Sequence, residues 1–195
     1  DKKRERQKAL KMPPRYDRAC LKRSAEEAEA LLGTGTPFIW RFALPHKEVV
    51  VTDVVRGDIT FDLSNFSDFP LTRADGSFTF IFANFVDDML MDITCVVRGE
   101  DHLSNTALQA VLYEAFEKRL PVFWHSPILC NVEGKKLSKR DFGFSLKDLR
   151  EAGFIAPAIN NYLAILGSSQ SDEILSMKEL VALDLVKSNA SGTIK

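Results

Sequence analysis

Apolar residues recur along this chain at two periods, and the change of period divides it. In Phe38-Ile-Trp-Arg-Phe-Ala43 the rings of Phe38, Trp40 and Phe42 fall at every second position, the spacing of a strand with one apolar face. Val49-Val-Val-Thr52 and Asp58-Ile-Thr-Phe61 continue as short extended segments. Ahead of them, Ser24 with Glu27 three residues on predicts a capped helix that Gly33 stops. Together these elements predict a small mixed α/β region over residues 1–76, closed by the turn signal Ala74-Asp-Gly76.

Beyond that turn the pattern reads as a strand (Phe78–Phe82), a helix (Asn84–Met91), a strand (Ile93–Val97), a second helix and a strand (Val122–Leu129). Ser104 or Asn105 is placed as the cap of the second helix, whose Leu108, Val111, Leu112, Ala115 and Phe116 share one face. A β–α–β–α–β order of apolar strands implies a parallel sheet covered by helices, the α/β class. Ligands in such sheets bind off the carboxyl ends of the strands. Arg98 and the loop Lys135–Arg140 fall at those ends. The remainder, residues 143–195, reads as helical. Ser145 with Asp148 caps a helix over Leu146–Ala152 that Gly153 stops. Pro157 opens another, with Ile159, Tyr162, Leu163 and Leu166 on one face before Gly167. Ser176 with Glu179 caps a last helix containing Leu180, Leu183 and Leu185.

Composition changes this picture little. At 195 residues, 45% hydrophobic and 27% charged, the chain has the balance of a soluble globular protein with a sizeable core. No run approaches the roughly 18–20 apolar residues of a membrane span, and no signal-peptide pattern or internal repeat is present. A net charge of −1 gives no whole-chain sign of nucleic-acid binding. Residues 1–24, however, hold ten Lys/Arg against three Asp/Glu, a basic arm that either touches nucleic acid or is simply solvated. Three separated cysteines, Cys20, Cys95 and Cys130, fit a reducing compartment, with Cys95 and Cys130 read as small buried strand residues.

The candidate chemistry concentrates in two places. Glu133-Gly-Lys-Lys-Leu-Ser-Lys-Arg140 sets Lys135, Lys136, Lys139 and Arg140 beside the hydroxyl of Ser138, a loop able to fold over a polyphosphate. A bare pattern of this kind is more often a solvated basic loop; its place after an apolar strand and before a capped helix favours nucleotide handling. Arg98, ending a strand beside Gly99-Glu100-Asp101, can clamp a carboxylate through two parallel hydrogen bonds. The alternative is an internal ion pair with Asp87, Asp88 or Glu100. Asn84 is either a substrate-holding amide or a helix cap, and the Asp87-Asp88 pair is read as structural rather than as a magnesium site. His46, His102 and His125 are scattered and form no ligand set; His102 is read as structural.

Lys136-Leu-Ser-Lys-Arg140 resembles the second signature loop of class I aminoacyl-tRNA synthetases, in the form used by glutamyl-tRNA synthetases. Phe82-Ala-Asn-Phe-Val-Asp-Asp88, Val97-Arg-Gly-Glu-Asp-His102, Leu112-Tyr-Glu-Ala-Phe116 and Asn161-Tyr-Leu-Ala-Ile-Leu-Gly167 follow that family's order and spacing. The resemblance implies the second half of a Rossmann-like catalytic domain over residues 77–142. Part of an inserted region that binds the tRNA acceptor end would precede it (1–76), and a helical stem-contact region would follow (143–195). It implies activation of L-glutamate with ATP and Mg²⁺ and transfer to tRNA(Glu), with tRNA(Gln) open as a further acceptor. Lys139 and Lys136 are the implied catalytic pair on the phosphates, joined in ATP binding by Ser138, Asp101 and the backbone of Ile128 and Leu129. Arg98, Asn84 and Phe80 are the implied glutamate pocket. Phe80 stands where the family has tyrosine, a missing hydroxyl that would weaken glutamate binding by about 0.5–1.5 kcal/mol.

Tyr16 and Cys20 resemble the downstream half of a zinc site whose upstream cysteine pair is absent, so Zn²⁺ needs ligands from elsewhere in a full-length protein. The first signature of such synthetases, an H-x-G-H pattern, is also absent. The chain is therefore expected to be an internal section of a monomeric, cytoplasmic or organellar synthetase, lacking full activity alone. Two other readings stay open: a shorter paralogue that glutamylates a modified tRNA base, and a non-catalytic RNA- or partner-binding module.

Overall fold

The computed structural model describes residues 2–11, 15–131, 133–137, 145–165, 174–183 and 193–194. In chain order its helices are α1 Lys2–Ala9, α2 Ala25–Gly33, α3 Phe80–Leu90, α4 Leu103–Ala115, α5 Leu146–Glu151, α6 Ala156–Ile165 and α7 Met177–Ala182. Its strands are β1 Arg41–Phe42, β2 Glu48–Asp53, β3 Gly57–Asp62, β4 Phe69–Pro70, β5 Cys95–Gly99, β6 Val122–Ser126, β7 Ile128–Leu129 and β8 Thr193–Ile194. No helix among the described residues is long and apolar enough to cross a membrane.

The chain forms two compact units that interleave along the sequence: Asp1–Val50, Thr60–Ile93 and Ala107–Arg119 in the first, Val51–Ile59, Thr94–Thr106 and Leu120–Lys195 in the second. They are units of chain contact, whereas the expected regions 1–76, 77–142 and 143–195 divide the chain by role. The interleaving comes from strand pairing: the end of β2 runs parallel to β6, with Asp53 opposite Phe123, and draws residues 51–59 to the later strands.

In the first unit, α2 carries the expected capping box, each partner 3.2 Å from the other's backbone N–H. The expected strand Phe78–Phe82 is instead the entry to α3. The alternating rings suggested period two, but Phe78, Phe82 and Phe85 also lie one helical turn apart, and packing selects that period. Phe78 meets Phe82 at 5.4 Å, and fully buried Phe85 meets Tyr113 edge-on at 4.9 Å and Phe116 at 5.1 Å. The strand expected over Phe38–Ala43 shrinks to β1, paired antiparallel with β4. Phe42 stacks on Phe69 at 5.4 Å, whereas Phe38 and Trp40 pack on each other and remain exposed.

In the second unit, β5 and β6 pair in parallel register from Cys95↔Val122 to Gly99↔Ser126, the expected β–α–β crossover through α4. The sheet order is β3-β2-β6-β5, so β5 is an outer strand of this sheet. Cys95 and Val97 share the exposed face of β5, which overturns the buried reading of Cys95; Cys130 is half-buried. Helix α4 starts at Leu103, directly after a 3-10 turn over Glu100–His102, so neither Ser104 nor Asn105 is its cap; the Asn105 amide bonds His102 Nδ1 at 3.0 Å. The capping boxes of α5 and α7 are present, and Gly153 ends α5 at φ 87°. Buried Asn161 of α6 accepts from Leu175 N–H at 2.8 Å and donates back to Leu175 O, tying the segment before α7 to α6. Leu166, Gly167 and Leu185 lie outside the described residues.

Candidate functional site

Strand periodicity explains the centre of the second unit. On β6, Phe123 and His125 occupy the buried positions of an alternating pattern, and on β2 Val51 and Asp53 do the same. Two ionisable side chains thus face the core, His125 at 0% and Asp53 at 1% exposure. A buried polar group is tolerated when it is hydrogen-bonded, and these two satisfy each other. His125 Nδ1 lies 2.7 Å from Asp53 Oδ2, which also accepts the His125 N–H at 3.1 Å. The other carboxylate oxygen accepts the N–H groups of Val55 and Arg56 at 2.9 and 3.0 Å.

Arg98 sits opposite His125 in the β5–β6 register. Its Nε donates to His125 Nε2 at 3.1 Å, and Nη2 donates to the Thr106 hydroxyl at 2.8 Å. The Phe123 ring centroid lies 5.2 Å from the guanidinium carbon, a cation–π contact. Glu100, one of the carboxylates weighed as an internal partner for Arg98, is ion-paired to Arg56 instead. Burial holds the imidazole of His125 below its ordinary value. The Asp53 hydrogen bond opposes this, and the charges of Arg98 and Arg56 add to it. His125 is therefore neutral at pH 7, and its contact with Asp53 is a hydrogen bond rather than an ion pair.

The turn after β5 carries Asp101. Its carboxylate is ion-paired to Lys136, and that hydrogen bond holds its pKa below the usual range, burial opposing. A Cβ on Gly99 would lie 2.6 Å from Asp101 Oδ1, so glycine leaves the space this carboxylate occupies. Lys136 is presented by a hairpin: Leu137 N–H donates to Leu129 O at 2.9 Å, and Asn131 N–H to Lys135 O at 2.8 Å. The Asn131 side chain closes the loop by accepting from Glu133 and Lys135 N–H, and Gly134 takes φ 80°. The β7 edge implied for adenine is paired on both sides here, with Leu137 and with β8. Ser138, Lys139 and Arg140 lie outside the described residues.

Phe80 and Asn84 belong to the first unit, on the first two turns of α3. Asn84 is not a cap: its Oδ1 accepts from Gln109 Nε2 at 2.8 Å, which leaves its amide N–H groups as the donors. Phe80 is 58% exposed. Tyr16 and Cys20 do converge, the Tyr16 hydroxyl accepting the Cys20 N–H at 3.1 Å. The side-chain contact with Cys20, with burial adding to it, raises the phenol above its ordinary pKa. Two donors do not make a structural zinc site, and among the described residues no three His, Cys, Asp or Glu side chains could hold a metal.

The family described as tRNA synthetases class I (E and Q), catalytic domain, matches residues 1–194. The chain belongs to that family. It is 42% identical over 177 residues to the glutamate–tRNA ligase of Finegoldia magna, covering 89% of this chain and 36% of that protein. Against glutamate–tRNA ligase 1 of Paracoccus denitrificans it is 42% identical over 195 residues, covering 99% of this chain and 44% of the relative. The crystal structure of glutamate–tRNA synthetase from Elizabethkingia anophelis superposes with a TM-score of 0.85 at 33% identity, covering 97% of this chain and 44% of that one. This class I synthetase chain therefore spans less than half the length of these relatives, as the section character read from the sequence implies. The α/β, Rossmann-like fold is that of the solved synthetases.

Three residues of the cluster around Arg98 carried no assigned role in the sequence: Asp53, Thr106 and His125. The signal was there for His125, a polar residue at the apolar phase of β6. Asp53 ends the Val49–Thr52 run on the phase of Val51. Gln109, which orients Asn84, carried no signal apart from its place on the buried side of α4.

Proposed function

We propose that this chain is the section of a glutamate–tRNA ligase that reads the amino-acid side chain and faces the triphosphate. In the first step an oxygen of the glutamate α-carboxylate attacks the α-phosphorus of ATP. The bond from that phosphorus to the bridging oxygen breaks, and glutamyl-adenylate and pyrophosphate result. A 3′-terminal ribose hydroxyl of tRNA then attacks the activated carbonyl, and AMP leaves. Catalysis of this kind consists of positioning and charge neutralisation. Arg98 binds the side-chain carboxylate of that glutamate. Lys136 and Lys139 offset charge on the leaving pyrophosphate, with Ser138 beside them. Magnesium would arrive with the triphosphate and neutralise it, since Asp101 is already engaged by Lys136.

The observation that carries this reading is the built setting of Arg98. A guanidinium at the carboxyl end of a parallel strand is held by His125, Thr106 and the Phe123 ring, in a chain related to glutamate–tRNA ligases. Phe80 in place of the family tyrosine favours a second reading, a synthetase-derived module that binds RNA without activating glutamate. ATP–pyrophosphate exchange with glutamate, with and without tRNA, separates the two when run on the full reading frame and its Lys139→Ala variant. Exchange that collapses by orders of magnitude in the variant is expected. An active Lys139→Ala protein would remove that lysine's role, and no exchange by the folded parent would favour the module.

A further inference from the structure

We propose that His125 and Asp53 act as positioning residues for Arg98, by locking the imidazole in the one tautomer that can accept from the guanidinium. This rests on the reading of Arg98 as the reader of the substrate's side-chain carboxylate.

Every other hydrogen bond of Asp53 among the described residues comes from a donor, the N–H groups of Val55, Arg56 and His125, so its carboxyl oxygens serve as acceptors. At 2.7 Å from such an acceptor, His125 Nδ1 must carry the proton. A neutral imidazole then has a bare Nε2, and Arg98, which has donors only, places its Nε–H there at 3.1 Å. The opposite tautomer would set N–H against N–H at this distance and expel the guanidinium. Thr106 closes the triangle, its hydroxyl 3.2 Å from Nε2 and 2.8 Å from Arg98 Nη2. Among the described residues the charged groups facing the ring are Asp53 from β2, Arg56 from the following turn and Arg98 from β5; burial and the two arginines favour the neutral ring, and Asp53 opposes them. A neutral holder matters, because a carboxylate in its place would neutralise the cation that the substrate is meant to meet. The chain Asp53–His125–Arg98 thus transmits orientation from the floor of the sheet to the guanidinium without taking its charge.

The test uses the full-length protein, read by ATP–pyrophosphate exchange at varied glutamate and varied ATP. Asp53→Asn can donate to Nδ1 and so invert the tautomer, and His125→Asn keeps a donor toward Asp53 while losing the acceptor toward Arg98. Both should raise the glutamate KM about tenfold or more with the ATP KM within about twofold. His125→Gln, which restores an acceptor near the Nε2 position, should recover part of that loss. In the unmutated protein, ¹⁵N NMR of labelled histidine should show Nδ1 protonated and Nε2 bare, a readout independent of whether any variant folds. A protonated Nε2 would overturn the proposal. So would glutamate and ATP KM rising together alongside a loss of folded protein, the pattern of a merely structural pair. Arg98→Ala distinguishes the two levels. If it raises the glutamate KM while Asp53→Asn and His125→Asn do not, the positioning fails and the reading of Arg98 stands. If it leaves the glutamate KM unchanged, both fall.

Discussion

Asp68 anchors the turn that carries Cys20, and its replacement by alanine should be among the costlier changes in the first unit. Its Oδ1 accepts Arg18 Nη2 at 2.7 Å and Leu44 N–H at 2.9 Å, and Oδ2 accepts Arg18 Nε at 2.9 Å. The carboxylate is 3% exposed and the arginine 35%. Hydrogen bonds to charged groups contribute about 1.5–3 kcal/mol each, but three sharing one carboxylate do not add. Arg18 regains water when freed, which discounts its share; Leu44 N–H stays buried and unpaired. A loss of about 3 kcal/mol follows for Asp68→Ala, or roughly 6–12 °C in melting temperature for a chain of this size. Urea and thermal unfolding at pH 7 measure it, and a variant melting within about 2 °C of the parent would refute the reasoning. The pH dependence is a second check. Burial raises the Asp68 pKa. The hydrogen bonds from Arg18 and Leu44, with the charges of Arg18 and Arg41, outweigh it and leave the group below its ordinary value. A depressed folded pKa means the contribution is complete above the unfolded value of about 3.9 and disappears as pH falls through the folded one. The stability gap between parent and Asp68→Asn should be flat from pH 7 to about 5 and narrow below about 4; a gap that widened in acid would contradict the assignment.

Two further changes test other parts of the molecule. Tyr113→Phe should be neutral or stabilise by about 1 kcal/mol in urea unfolding, because the buried hydroxyl has no hydrogen-bond partner among the described residues, and burial, with Asp88 adding, pushes its pKa up to about 12; a loss above about 1 kcal/mol would reveal a missed partner. Gly99→Ala should leave the melting temperature within about 2 °C, since Gly99 has an ordinary negative φ, yet displace Asp101 from Lys136. The Asp101 carboxyl, followed by NMR titration, should then rise toward its ordinary pKa, and an unmoved titration would show that Lys136 is not what depresses it.

Local signals in this sequence were legible where a few neighbouring residues settle the outcome. The three Ser–x–x–Glu/Asp boxes formed as read, because both partners lie within one turn and nothing distant competes. The parallel β5–α4–β6 unit was legible for a similar reason, an amphipathic helix between two apolar runs. Phe78–Phe82 differs from the expected strand because its five residues, all aromatic or β-branched, satisfy strand propensity locally, while Phe85, Tyr113 and Phe116 decide the period from further away. The pairing of the end of β2 with β6 was not legible, because it joins residues 70 positions apart. Cys95 looked buried because its run is apolar, and is exposed because it lies on the uncovered face of β5, a fact that composition does not carry.

The same distinction explains the site. Arg98, Asp101 and Lys136 could be named as candidates because their residue types and motif spacing suit carboxylate and phosphate chemistry. The groups that hold them were not, because each is unremarkable alone: Asp53 ends a valine run, Thr106 lies in a helix, and His125 was one of three scattered histidines. Their meaning depends on His125 meeting Asp53 across 72 positions of chain and Arg98 across 27. Burial makes the relation compulsory, since neither Asp53 nor His125 could occupy the core phase of its strand without the other. A polar residue at the apolar phase of a strand is therefore a demand for a partner. In a parallel sheet that partner must come from an adjoining strand or the covering helix. Applied to β6, the rule asks what lies beside His125, and the sheet answers with Asp53 on one flank and Arg98 on the other.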